Sequence, residues 1–311
     1  MIDVPVTPDD VEAAAARLSA YVRRTPTIEH EGVALKLEFL QHTASFKARG
    51  AFNRVLGADV PAAGVIAASG GNHGVATAFV ARRIGLEAEI FVPATSPRTK
   101  IERIRALGAR VIVGGEYYDD AQRACNERQL ETGALLVHPY DHVDTVAGAG
   151  TVGREFEQDA PDLDTVVVAV GGGGLCAGVA AWYAGRVKVV AVEPELLPGL
   201  HDALITGTPV DIELKPSIAA DSLGARRIGA IPFAIAKTFV TAAVLVTDDA
   251  IRDAQRRLWS DLRILCEPGG AAAFAALTSG AYRPERGERV GVVLCGANLD
   301  PAPVLDQPAV G

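Results

Sequence analysis

An α/β protein with mainly parallel sheets is the fold class the sequence predicts, and three observations predict it. Strand-length apolar runs alternate with helix-length amphipathic runs almost throughout the chain. Two segments rhyme: GVIAASGGNHGVATAFVARRIGLEAEIFVP from Gly64 and TVVVAVGGGGLCAGVAAWYAGRVKVVAVEP from Thr165. Each reads as a buried strand, a glycine-rich turn, a helix and another strand, which is a βαβ unit by pattern. Finally, 311 residues leave room for about two domains at roughly 100 to 200 residues apiece.

Taken in order, the pattern predicts a helix over Pro8 to Ala20 and the first turn of another at SFKARGA, beginning near Lys47. The first βαβ unit follows. A helix at Thr99 to Leu107, a strand at Arg110 to Val113, a helix at Asp119 to Glu131 and a strand at Ala134 to His138 come next. After the second βαβ unit, Pro194 to Ile231 carries several prolines and glycines and reads as a connecting region. A strand at Val240 to Val246, helices at Asp248 to Leu262 and Gly270 to Leu277, and a strand at Val290 to Leu294 complete the chain.

Composition narrows the class of function. Thirty basic against 38 acidic residues give a formal charge of −8 with no lysine/arginine cluster, so nucleic acid is not an expected partner. The opening MIDVPVTPDDVEAAAARL has early acids and no apolar core of signal-peptide type, so secretion is not expected. Thr165 to Gly185 is free of charge, but four successive glycines inside it favour a strand, a loop and a helix over a membrane span. Cys125, Cys176, Cys266 and Cys295 are widely separated without a CxxC pair, which argues against zinc and for reduced thiols in a cytoplasmic protein.

The chemistry lies in the two glycine turns and one lysine. Each turn sits where a strand ends and a helix begins, so unpaired N–H groups and the helix dipole favour an anion there. Gly171, Gly172, Gly173, Gly174 and Leu175 form the GGGGL turn, able to close its backbone on a phosphate. Gly172, Gly174 and Ala177 also satisfy the dinucleotide fingerprint, with Glu193 at the end of the next strand, so a nicotinamide oxidoreductase stays open. Tight strand–helix packing is the plainer use of those glycines.

The second turn, SGGNHG, offers Ser69, Gly70, Gly71, Asn72 and His73 to a carboxylate, although Ser69 or Asn72 capping the helix is the structural alternative. Lys47 opposes the dipole of the helix it starts. A solvated surface charge is the ordinary explanation of a lysine. Phe46 beside it and a cap-like Ser45 before it, together with two anion cradles, point instead to an amine that forms a Schiff base. A phosphate cradle with such a lysine suggests pyridoxal 5'-phosphate.

SFKARGA, SGGNHG, AGAGT, GGGGL, AVEPE, AADSLGARRIG, EPGGA and LCGAN occur in this order and span roughly Thr25 to Asp300. Together they resemble the serine/threonine dehydratase family of fold type II pyridoxal-phosphate enzymes. The resemblance implies a tryptophan synthase β-like fold of two three-layer domains with mainly parallel sheets and the cofactor in the cleft between them. The small domain, Gly64 to Asp141, would be inserted into a large one made of residues 1–63 and 142–311.

By the same resemblance Lys47 matches the Schiff-base lysine, Phe46 the residue against the pyridine ring, and Asn72 the partner of the cofactor's 3-hydroxyl oxygen. Ser69 to His73 match the substrate carboxylate cradle and Gly171 to Gly174, with Leu175, the phosphate loop. Cys295 falls where the family faces the pyridine nitrogen, Glu267 in a cofactor-side motif, and Tyr140 at the side-chain end of the substrate. A thiol of pKa about 8.5 is neutral and does not keep that nitrogen protonated, so elimination is favoured over transamination. The implied reaction removes water from L-threonine or L-serine, or from another β-hydroxy amino acid such as 3-hydroxyaspartate, with Lys47 as base. A 2-oxo acid and ammonia result, and a homodimer is implied; a cofactor-bearing but catalytically idle protein is the remaining alternative.

Several positions depart from the family pattern. Gly70 replaces the serine that related racemases use as a second base, so racemisation is expected to be minor. Ala149 replaces a glutamine in AGAGT, and Ser222 a glycine near the cofactor. Glu193 is present where relatives bind a divalent cation, but Leu197 and Gly199 stand at the companion positions and no metal is expected. The chain ends soon after LCGAN, so an isoleucine-sensing regulatory domain is not expected either.

Overall fold

The computed structural model describes residues 4–305 apart from 97 and 117, and its strands fall into one sheet of six and one of four. Helix α1 (Pro8–Leu18) opens on a closed capping box: Thr7 accepts from Asp10 N, and the Asp10 carboxylate accepts from Thr7 N. Strands β1 (Thr27–His30) and β2 (Val33–Lys36) form an antiparallel hairpin about Glu31 and Gly32, and α2 (Lys47–Leu56) follows.

The four-stranded sheet is made in a single excursion. It comprises β3 (Val65–Ala68), α3 (Asn72–Ile84), β4 (Ala88–Val92), α4 (Arg98–Ala106), β5 (Arg110–Val113), α5 (Tyr118–Thr132) and β6 (Leu135–Leu136). The strand order is β5-β4-β3-β6, and every pairing is parallel. Its apolar core also takes in Leu18 and the α2 residues Ala48, Ala51, Phe52 and Val55.

The chain returns through α6 (Val143–Asp159), β7 (Thr165–Ala169), α7 (Gly174–Tyr183) and β8 (Lys188–Pro194). Next come α8 (Gly199–Thr206), α9 (Ala220–Leu223), α10 (Ala230–Phe239), β9 (Val240–Val246), α11 (Asp248–Leu262), α12 (Pro268–Thr278) and β10 (Val290–Val293). The larger sheet runs β1-β2-β10-β7-β8-β9. Every residue of β7 is buried, as expected of a parallel strand covered on both faces.

Three differences from the sequence reading have physical causes. The strand expected at Ala134 to His138 shrinks to β6, because the Val137 carbonyl is taken by the His73 ring, Nε2 to O 2.7 Å. The region Pro194 to Ile231 holds α8 and α9; Leu200 N and His201 N at the start of α8 donate to the Glu193 carboxylate at 2.7 and 2.8 Å. Helix α6 hides behind glycines that read as helix-breaking. They permit close packing instead, since a Cβ on Gly150 would stand 2.8 Å from Gly178 O of α7.

Candidate active site

A cleft of about 690 Å³ opens where β3 and β7 end, at the carboxyl ends of parallel strands where α/β sheets bind ligands. Lys47, Ser69, Gly70, Gly71, Asn72, His73, Tyr140 and Gly172 all line it. Positions from four separate stretches of sequence are thus brought together. Phe46, Gly171, Gly173, Gly174, Leu175, Glu267 and Cys295 do not line the cleft.

Lys47 is the first residue of α2, and its Nζ donates to Pro139 O at 2.8 Å. The Phe46 ring centroid lies 5.1 Å from the same nitrogen. Burial pulls the ammonium pKa down from 10.5 to about 8, against the opposing pull of Cys295 and Glu267. An amine so placed is partly free near neutrality.

The helix start is rigid for a reason the sequence did not announce. Arg49, two residues on and fully buried, donates to both oxygens of Glu38 at 2.8 Å and to both oxygens of Glu155 at 2.8 Å. Two further bonds go to Arg23 O at 3.3 Å and to Thr151 Oγ1 at 3.2 Å, the latter reaching into AGAGT on α6. Two carboxylates hold this guanidinium firmly charged, pinning the turn that carries Lys47 to α6. Ala149, which stands where the family has a glutamine, is buried in that same helix and does not line the cleft.

The tetraglycine turn meets α7 with Gly173 in the left-handed region, φ 92°, and α7 begins at Gly174. The first amides of a helix have no intrahelical acceptor, so those of Gly174 and Leu175 are available to an anion. Tyr140 lies flat against the turn: a Cβ on Gly172 would sit 2.2 Å from Tyr140 Cδ1. At the other cradle, Ser69 Oγ accepts from Gly71 N at 3.2 Å in the turn before α3, and Asn72 is the first helical residue. Neither side chain caps α3, so the capping alternative fails.

Asn72 is steered by its neighbours. Its Nδ2 donates to Glu267 Oε1 at 2.6 Å, and its Oδ1 accepts from Asn298 Nδ2 at 2.7 Å. An amide nitrogen carries two hydrogens, so one donor remains for a ligand. Burial raises the Glu267 carboxyl to about 7. Cys295 is buried, its Sγ donates to Gly269 O at 3.4 Å, and burial pushes its thiol well above the usual range, so it is neutral.

Two expectations are corrected here. Ser45 is no cap: its hydroxyl is buried without a partner, and Phe46 takes the N-cap position of α2. Glu193, the acid that accompanied the dinucleotide fingerprint, does not line the cleft. It is fully buried, with its oxygens engaged by the α8 amides, and burial raises it to about 8. That engagement removes the acid a nicotinamide ribose would need. His138 and Pro139 were missed, though HPYDH was the stretch that supplied Tyr140.

An amine backed by a neutral thiol and faced by a phosphate-sized amide cradle defines a site for a coenzyme bearing both an aldehyde and a phosphate. The glycine contacts, the lowered lysine pKa and the open Asn72 donor all fit pyridoxal phosphate. Residues 18–296 match the family described as pyridoxal-phosphate dependent enzyme, and the chain belongs to that family.

Similar proteins include the phenylserine dehydratase of Ralstonia pickettii, 37% identical over 97% of this chain and 96% of that protein. The L-threonine ammonia-lyase of Thermotoga maritima is 35% identical over 95% of this chain and 76% of its own length. Among solved structures, maize serine racemase superposes with a TM-score of 0.89 at 30% identity, covering 97% of this chain and 96% of the other. Threonine deaminase isoform 2 of Solanum lycopersicum gives 0.86 at 30% identity, over 94% and 90% of the two chains. The fold is that of a fold type II pyridoxal-phosphate enzyme. Among the described residues no helix is long and apolar enough to cross a membrane.

Proposed function

We propose that the protein is a pyridoxal-phosphate-dependent ammonia-lyase that removes water from a β-hydroxy amino acid such as L-threonine or L-serine, giving a 2-oxo acid and ammonia. The observation that carries this reading is the Lys47 amine, its pKa lowered to about 8 by burial, between the two amide cradles and near a neutral Cys295 thiol. Lys47 would hold the coenzyme's aldehyde carbon, and Gly171 to Gly174 with Leu175 its phosphate. Asn72, steadied by Glu267, would meet its ring hydroxyl, Cys295 its ring nitrogen, and Phe46 its ring face.

When bound, the coenzyme supplies a sink for the electron pair left on the substrate α-carbon. Ser69 to His73 orient the substrate through its carboxylate, using the amides that open α3. Lys47, as the free amine, would take the α-proton at Nζ and deliver a proton to the departing β-oxygen, which leaves as water. A neutral Cys295 thiol would not keep the coenzyme's ring nitrogen protonated, which would favour loss of the β-oxygen over transamination. Tyr140 walls the cleft beside Gly172.

Residues 64–141 would form the small domain, and the enzyme would work as a cytoplasmic homodimer. The four free cysteines suit a reducing compartment. Incubating purified holoprotein with L-serine or L-threonine and measuring 2-oxo acid tests the reaction. Lys47→Ala is expected to lose turnover entirely; a variant that still releases 2-oxo acid would refute the assigned base.

A further inference from the structure

Two histidines line the cleft beside Lys47, and the fold treats them differently. His73 directs its Nε2 to Val137 O, and its Nδ1 is buried without a partner. His138 is turned the other way. Its Nδ1 accepts from Asp141 N at 2.8 Å and, more weakly, from Tyr140 N at 3.4 Å. A nitrogen accepting backbone N–H groups cannot carry a proton of its own, so the proton of His138 resides on Nε2.

That N–H has no hydrogen-bond partner among the described residues. The ring meets Tyr140 edge to face at 4.9 Å and is held at Nδ1 by the Asp141 amide, while Thr145 Oγ1 donates to the His138 backbone carbonyl at 3.1 Å and ties the main chain there to α6. The next residue, Pro139, supplies the carbonyl that receives Lys47 Nζ. His138 therefore lines the cleft with a single unengaged donor, one residue from the anchor of the base.

We propose that His138, locked as the neutral Nε2–H tautomer, is a catalytic residue that donates a hydrogen bond to the β-oxygen of the substrate as the carbon–oxygen bond breaks. The proposal rests on the dehydratase reading above. The bond's electron pair departs with the oxygen, the proton that completes water comes from Lys47, and the imidazole keeps its own proton throughout. A neutral imidazole is a suitable donor to an oxygen gaining charge. Burial, with Lys47 and His142 against Asp141, pulls the imidazole down to about 4 and keeps it neutral. With the α-carboxylate assigned to the Ser69 to His73 cradle, the β-oxygen is the substrate acceptor left for His138, alongside the proton that Lys47 supplies.

The test compares leaving groups in the holoenzyme. His138→Gln is expected to lower kcat on L-serine by about 100-fold, the scale of one transition-state donor. On β-chloro-L-alanine, whose chloride needs no donor, the same variant should lose less than about threefold. Equal losses on both substrates would overturn the proposal. Absence of turnover by the unaltered protein on either substrate would instead bring down the dehydratase reading, and the proposal with it. Nitrogen-15 spectra of the unaltered protein are independent of activity: a bare Nδ1 and protonated Nε2 at neutral pH support the assignment, and an imidazole titrating near the ordinary 6.5 overturns it.

Discussion

At the first turn of α2 the helix dipole and burial act on Lys47 in the same direction, and both favour the uncharged amine. A general base works unprotonated, so kcat should rise with pH through about 8 and level off above it. A pH–rate profile of the holoenzyme checks this, and a flat profile through that range would contradict it. Lys47 was legible because its neighbours in sequence are its neighbours in function. Arg49 was not: its carboxylate partners Glu38 and Glu155 lie 11 and 106 residues away in the chain, and a cation in a helix gives no sign of being buried.

The tetraglycine turn and the Tyr140 ring form one unit built from two elements. Gly172→Ala would drive a methyl into that ring at 2.2 Å, displacing either the ring or the amides of the turn. Coenzyme affinity should fall by roughly tenfold or more, the cost of overpacking by about 1–3 kcal/mol. An absorbance titration of the apoprotein reads it, and Tyr140→Ala in the same chain should restore much of the loss. The βαβ elements were legible from alternating apolar runs and glycine turns. Helix α6 was not, since its glycines carry a low helical propensity that packing against α7 overrides.

Across the whole molecule, the cleft mouth is bridged by ion pairs from the smaller sheet's helices to the α9 region. Lys100 on α4 pairs with Asp221, and Asp119 on α5 pairs with Arg226 at 3.3 Å. Such exposed pairs contribute roughly 0.2–1 kcal/mol each and are screened by salt. Asp221→Asn should therefore raise KM about two- to fivefold with less effect on kcat. Salt should raise KM in the unaltered enzyme more than in the variant; an identical salt response in both would show that the bridge does not help hold the cleft closed.

The sequence by itself determined the α/β class, the two glycine turns at strand ends, and the candidate lysine, because each is encoded by residues close together in the chain. Tertiary structure alone decided what surrounds them. It buried Glu193 under α8, set Arg49 between two carboxylates, tied Asn72 to Glu267 and Asn298, and engaged Nδ1 of His138 at the wall of the cleft. Those outcomes depend on which distant groups share a dry space, and local periodicity carries no record of that.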